Sequence, residues 1–335
     1  MKNKGYKLPV LALVFALALC LALGALAESA FPVTVRDALE REVAIDQEPQ
    51  RLVSGYYIST SMLMALDRTD RLVGIEAKAA QRPIYALAAP QLLSLPNVGT
   101  AKSFDLEGCA ALEPDLVVLP VKLKDVIPAL EALGIPAIAI NPESFEQMGE
   151  TLALLGAATG AQERADALLA DQAQKLEQLG TLLEGAEQPR VYLAGNSSYL
   201  NTAGAKMAQH ALIGMGGGEN VAAALEDSYW ATVSYEQLLA WDPDAIVIVP
   251  EADYTREDLM ADAQLADLRA VREGRVYAMP DTVEAWDSPV PAMTLGSLWM
   301  AGALHPDRYA DFASDALAFY RTFYGIELDP ALLAQ

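Results

Sequence analysis

The chain has 335 residues, 53% of them apolar and 20% charged, with a formal net charge of −22. That length and apolar content are enough for two lobes with cores of their own, and no low-complexity linker interrupts them. The acidic balance argues against nucleic acid or anionic lipid as a partner and suits docking on a basic surface.

The first residues read as an export signal. Lys2, Lys4 and Lys7 form a basic start, Leu8 to Leu26 is almost unbroken apolar sequence, and Ala25-Leu26-Ala27 offers a small-x-small cleavage site. Residues 1–27 are therefore assigned to a signal peptide, and an uncleaved anchor is the competing reading because the run is long enough to span a bilayer. Cys20 follows the bulky Leu19, where a lipidation motif wants a small residue. Export places the chain in a periplasm or on the outer face of the cytoplasmic membrane. Beyond the signal the chain keeps one cysteine, Cys109. It can form no internal disulfide, and the thiol reads as a small core residue.

Phe31 to Gln50 reads as an exposed leader, and Arg51 to Gly55 as the first strand. A helix is expected from about Ser59 to Leu66, then a strand at Leu72 to Ile75. Further helix–strand units are expected through Leu106 to Leu119 and Val126 to Ile140. Alternation at this spacing implies a parallel sheet covered on both faces, with residues 28–158 as a first lobe. From Ala161 to about Glu184 apolar residues keep three-and-four spacing through Ala165, Leu168, Gln172, Leu176 and Leu179. This predicts one long helix, within 159–186, standing between the lobes. Alternation restarts at Val191-Tyr192-Leu193 and runs to a last helix near Phe312 to Tyr324, giving a second lobe over 187–335.

One short pattern occurs twice, about 130 residues apart. Leu106-Glu107 leads to Pro114-Asp115 and the apolar run Leu116 to Leu119. Tyr235-Glu236 leads to Pro243-Asp244 and the run Ala245 to Val249. In each copy Pro-Asp begins seven residues after the glutamate. Helix, tight turn and buried strand, used once per lobe, imply two α/β lobes of one design with a cleft between them.

Catalytic signatures are weak. His210 and His305 are the only histidines, and both read as capping or packing residues. No Gly-x-Ser-x-Gly elbow is present. Two scattered histidines cannot build a multi-histidine metal site. Gly214 to Gly218 lacks the Lys-Ser/Thr of a phosphate loop and reads as a turn. No catalytic residue, metal ligand or cofactor is therefore assigned. An exported chelate-processing enzyme is the alternative class, and it would require a Ser-His-acid set.

Several segments in order carry a resemblance: Arg51-Leu52-Val53-Ser54, Ala65 to Gly74, Val98-Gly99-Thr100, the two repeat copies, and Gly217-Gly218-Glu219-Asn220-Val221. Together they resemble the solute-binding proteins of ABC importers that carry iron–siderophore complexes, haem and vitamin B12. The resemblance implies a class III periplasmic-binding-protein fold: two Rossmann-like lobes with parallel sheets joined by one long interdomain α-helix, ligand in the cleft, and little hinge motion. It also implies a monomer that delivers its guest to a membrane permease with a cytoplasmic ATPase. By position it places permease-docking glutamates at Glu107 and Glu236, although each would equally complement the positive end of its helix.

Ligand-facing positions implied by the resemblance are Tyr56, Tyr57, Lys102, Ser103, Phe104 and Lys122 in the first lobe. In the second they are Asn196, Ser197, Tyr199, Asn201, Trp230, Trp286 and Asp287. Loops at the carboxyl ends of strands are also where physical reasoning puts a site. Core packing is the alternative for Tyr56 and Phe104, whereas Trp230 and Trp286 both sit in polar, turn-like surroundings, the latter in Trp286-Asp287-Ser288-Pro289. Thr100 to Phe104 supplies no axial haem ligand, so haem would need Tyr56, Tyr57 or Tyr199. Lysines without arginine in these loops disfavour a highly charged catecholate. The expected guest is a ferric siderophore of neutral hydroxamate type, then vitamin B12, then haem.

Overall fold

The computed structural model describes residues 31–225 and 230–333, so the signal segment lies outside the described residues. The chain opens on an antiparallel hairpin, β1 (Val33–Arg36) with β2 (Glu42–Ile45). This corrects the exposed leader. Val35, Val43 and Ile45 are buried, and the Asp37 carboxylate closes the turn by accepting from the backbone N–H groups of Leu39 and Arg41 at 2.9 and 3.1 Å. The alternating apolar residues of each strand carried that signal.

The first lobe then runs β3 (Leu52–Ser54), α1 (Tyr57–Ala65), β4 (Leu72–Gly74), α2 (Pro83–Ala88) and a small hairpin, β5 (Gly99–Thr100) with β6 (Ser103–Phe104). It continues with α3 (Leu106–Ala111), β7 (Leu116–Pro120), α4 (Ile127–Ala132), β8 (Ala137–Ile140) and α5 (Phe145–Ala158). Its sheet is wholly parallel in the order β4-β3-β7-β8. Every residue of β7 and β8 is buried, as expected for strands covered on both faces.

A single helix follows, α6 (Gln162–Leu182), and its buried positions Ala165, Leu168, Gln172 and Leu179 lie on the expected stripe. It is tied to both halves. Arg164 Nε donates to the Ala65 carbonyl in the first lobe at 3.0 Å. The buried Gln172 amide donates to the Pro291 carbonyl and to Thr294 Oγ1 at 2.9 and 3.0 Å.

The second lobe repeats the plan with β9 (Arg190–Ala194), β10 (Asn201–Thr202), α7 (Ala208–Met215), β11 (Glu219–Asn220), β12 (Ala231–Thr232), α8 (Tyr235–Trp241) and β13 (Ala245–Ile248). Then come α9 (Arg256–Ala261), α10 (Arg269–Arg272), β14 (Val276–Ala278), α11 (Met293–Leu304) and α12 (Phe312–Tyr324). Its parallel sheet has the order β11-β9-β13-β14. In each lobe the strands, counted in chain order, stand second, first, third, fourth. The last helix, α12, leaves the second lobe and packs on α1 of the first. One hydrophobic core runs through both lobes and includes Leu52, Leu168, Val247 and Phe323.

The internal repeat has a shared physical cause. In each copy the residue before proline, Glu113 or Asp242, takes a left-handed φ of 47° or 38° and ends the helix. The aspartate after proline then accepts the backbone N–H that begins the lobe's first strand: Arg51 N to Asp115 Oδ1 at 3.0 Å, and Arg190 N to Asp244 Oδ2 at 2.9 Å. The arginine side chains reach back to carbonyls at the helix ends, those of Leu112 and Trp241. Helix, turn and central strand are thus locked together identically in both lobes.

Candidate functional site

In a parallel sheet whose order reverses between two neighbouring strands, a crevice forms at their carboxyl ends. The first lobe reverses between β3 and β7, which lead into Tyr56-Tyr57 and Lys122. The second reverses between β9 and β13, which lead into Asn196 and Pro250-Glu251. All of these residues line one cleft of about 310 Å³ between the lobes. Glu143 joins after β8, Asp287 and Ser288 after β14, and Met207 to Gln209 at the start of α7. Trp230 forms a further wall.

Local packing explains how the aromatic walls are held. A Cβ on Gly195 would lie 2.9 Å from the Trp230 ring, so the indole rests directly on backbone that only glycine leaves bare. The first lobe repeats this at Gly55, whose Cβ would lie 3.2 Å from the Phe104 ring. The Tyr56 and Tyr57 rings meet edge to face at 5.0 Å. Behind them the Arg82 guanidinium sits 3.8 Å from the Tyr57 ring centre, a cation–π contact. The Tyr57 hydroxyl is 3.5 Å from Ser288 Oγ across the cleft, and burial raises its pKa.

The cleft is acidic. Glu143, Glu251 and Asp287 face it with one cation, Lys122, among its lining residues. Asp287 is 8% exposed, and burial pushes its carboxyl up to about 6. The Gln209 amide steadies it, donating to its main-chain oxygen at 3.0 Å and to Oδ2 at 3.4 Å.

Of the ligand-facing positions expected from sequence, Tyr56, Tyr57, Lys122, Asn196, Trp230 and Asp287 come together here. Trp286 does not. It is 1% exposed, its indole N–H donates to the Tyr320 hydroxyl at 2.9 Å, and its ring meets Phe312 edge to face. The turn reaches the cleft, but its tryptophan points into the core. Tyr199 is also turned elsewhere: its hydroxyl donates to Asp262 at 2.6 Å, beside Tyr235, and its ring packs on Tyr254. Ser197 and Asn201 bond to each other at 2.7 Å, and Asn201 also accepts from Thr232, so both shape the loop next to Trp230 without lining the cleft. Lys102 and Ser103 are exposed on the β5–β6 hairpin, and Phe104 packs over Gly55.

Glu251 was missed, although the internal repeat held its signal: it stands 15 residues after Glu236, as Lys122 stands 15 residues after Glu107, and both line the cleft. Glu143, Met207 and Gln209 carry no comparable local sign. The two histidines are packing residues. His305 is buried with Nε2 3.1 Å from the Gly217 carbonyl, and His210 Nδ1 lies 3.4 Å from the Asn220 amide. Cys109 is buried, and desolvation pushes its thiol up to about 11.

Glu107 and Glu236 are exposed at matching places, the second residue of α3 and of α8. The caps also match. Asp105 accepts from the Gly108 N–H at 2.9 Å, and Ser234 accepts from the Gln237 N–H at 3.2 Å. Hydrogen bonds from its own backbone and from the Ser234 hydroxyl hold the Glu236 carboxyl below its usual range.

Comparison with known proteins agrees with this frame. The molybdate-binding protein MolA of Haemophilus influenzae is 26% identical over 326 residues, covering 88% of this chain and 92% of its own. A cobalamin-binding protein of Halobacterium salinarum is 28% identical, covering 82% of this chain and 74% of its own. The crystal structure of a periplasmic solute binding protein from Veillonella parvula superposes with a TM-score of 0.79 at 28% identity, over 90% of this chain and 95% of that one. The profile of the family described as periplasmic binding protein matches residues 52–283. With that match laid over both lobes and the crevice between them, the chain belongs to the periplasmic binding protein family.

Proposed function

We propose that this chain carries a bulky metal chelate of neutral or positive charge, a ferric hydroxamate-type siderophore, in the interlobe cleft. The broader role follows from the family: it is the extracytoplasmic solute-binding component of an ABC importer and works with a membrane permease. Among the described residues no helix is long and apolar enough to cross a membrane.

The observation that carries the choice of guest is the lining. Three carboxylates against one lysine repel a small oxyanion such as molybdate, which needs converging donors and positive charge. Tyr56, Tyr57 and Trp230 offer broad apolar contact at low entropic cost, and Asn196, Gln209 and Ser288 offer neutral hydrogen bonds. That set suits a chelate whose metal charge is already neutralised by its own ligands. A corrinoid is the second reading, favoured by the cobalamin-binding relatives. The cleft volume lies at the lower end of the small-molecule range and sets the smaller chelate ahead of it.

Glu107 and Glu236 are proposed to meet basic residues of the permease, one from each lobe. Both are exposed, and neither lines the cleft.

Titration followed by tryptophan fluorescence tests the guest, because Trp230 forms a cleft wall. A ferric hydroxamate is expected to quench emission with a submicromolar midpoint, and molybdate to leave it unchanged. Saturable quenching by molybdate alone would overturn the choice of guest, and saturation by cobalamin alone would transfer it to the corrinoid.

A further inference from the structure

Behind the Tyr57 side of the cleft lies a second, smaller cavity of about 20 Å³. It shares Tyr57, Glu251, Ala285 and Ser288 with the cleft, so it is an annex opening beside the main site. Its volume admits one water-sized group. Glu251, Asp281 and Glu284 line it opposite Arg82.

Two features set this annex apart from an ordinary acidic patch. Glu284 is 8% exposed, and its Oε1 is buried with no hydrogen-bond partner among the described residues; the Tyr324 hydroxyl lies 3.5 Å from Oε2, and the Tyr320 hydroxyl also faces the carboxyl. A buried carboxyl oxygen left without a partner is costly, and a bound hydrogen-bonding group removes the cost. Secondly, three carboxylates face a single cation there: Arg82 lies over the Tyr57 ring and 4.0 Å from the buried Glu76 carboxylate, its Nε buried without a hydrogen-bond partner among the described residues. The remaining balance in the annex is negative.

We propose that the annex is a specificity subsite for a primary ammonium group carried on an arm of the guest, with Glu284 Oε1 as its principal acceptor and Glu251 and Asp281 completing the negative wall. An ammonium is compact, supplies three donors and brings the missing positive charge. This assignment rests on the reading that a chelate occupies the adjoining cleft. Burial pushes the Glu284 carboxyl up to about 8, with Tyr320, Tyr324 and Arg82 as the polar groups facing it. Near pH 7 it is therefore mostly protonated in the free protein. An ammonium favours the carboxylate, so binding releases a proton.

Trp286 is a local reporter, because its indole N–H binds Tyr320, which faces Glu284. With nitrogen-15-labelled indoles, n-butylammonium is expected to shift the Trp286 cross-peak saturably, n-butanol is not, and Glu284→Gln abolishes the shift. An absent shift, or one that persists in Glu284→Gln, overturns the subsite. A matched pair of ferric hydroxamates, one with a terminal ammonium and one N-acetylated, separates this proposal from the reading beneath it. The wild type is expected to prefer the ammonium form by about tenfold or more, with proton release seen as buffer-dependent binding heat. In Glu284→Gln the ratio is expected to fall to near one. Equal wild-type affinities overturn the subsite and leave the chelate reading standing. A butylammonium response without binding of either chelate does the reverse.

Discussion

Replacing both Glu107 and Glu236 by arginine is expected to abolish uptake of the guest by cells while the purified double variant binds that guest as the wild type does. The two carboxylates stand at the same position of α3 and α8, each exposed and each outside the cleft. Because the lobes repeat one plan, they form a pair of acidic points, one per lobe, suited to a partner with paired basic points. Reversing both charges sets like against like at each contact, which costs several kcal/mol and should lower uptake by about 100-fold or more. The fold should tolerate it. Each glutamate is exposed to solvent, where its interaction with the helix start is weak, and the Asp105 and Ser234 caps remain. Uptake assays beside equilibrium binding give the answer, and wild-type uptake by the double variant would remove the docking role.

The two tryptophans that the sequence makes look alike are expected to behave oppositely. Trp286→Ala should destabilise the protein by about 3–5 kcal/mol, because it empties a buried site between Tyr320 and Phe312 and orphans a hydroxyl partner. For a protein of this size the melting temperature should fall by on the order of 10 °C. Trp230→Ala should leave the melting temperature much closer to wild type but weaken guest binding by about 30- to 100-fold, as expected for an aromatic anchor on a cleft wall. Thermal unfolding and binding measured on both variants decide the matter. A Trp286→Ala protein that melts normally but binds poorly would return that residue to the site.

The paired-lobe plan was legible because it rests on local chemistry used twice. Glutamate, Pro-Asp and an apolar strand recur with the same spacing, and the structure shows the recurrence is a left-handed turn plus a carboxylate that anchors the first strand. The long helix was legible from its stripe, since Ala165, Leu168, Gln172 and Leu179 are the positions it buries. Part of the cleft was legible for a related reason. Tyr56, Tyr57, Lys122 and Asn196 follow strands at the points where strand order reverses. What sequence could not supply was the direction of a side chain within a loop. Trp286 and Asp287 are neighbours, yet one fills the core and the other faces the cleft, because α12 returns to pack under that turn. Tyr199 was drawn away by Asp262, which lies 63 residues further along the chain. Gln209 and Glu143 depend on how α7 and the end of β8 approach the crevice, and no short pattern encodes that approach. The annex was invisible for the same reason. Arg82 and Glu284 belong to different lobes and meet where the backbone N–H of Ile84 donates to the Val283 carbonyl at 3.0 Å.

The metal chelate is expected to sit between the lobes, touched by both. Locating the iron by anomalous diffraction in crystals grown with a ferric hydroxamate tests it most directly. The expected peak lies in the crevice bounded by Tyr57, Lys122, Asn196 and Trp230. A chelate found at any other surface, with that crevice holding solvent alone, would contradict the claim.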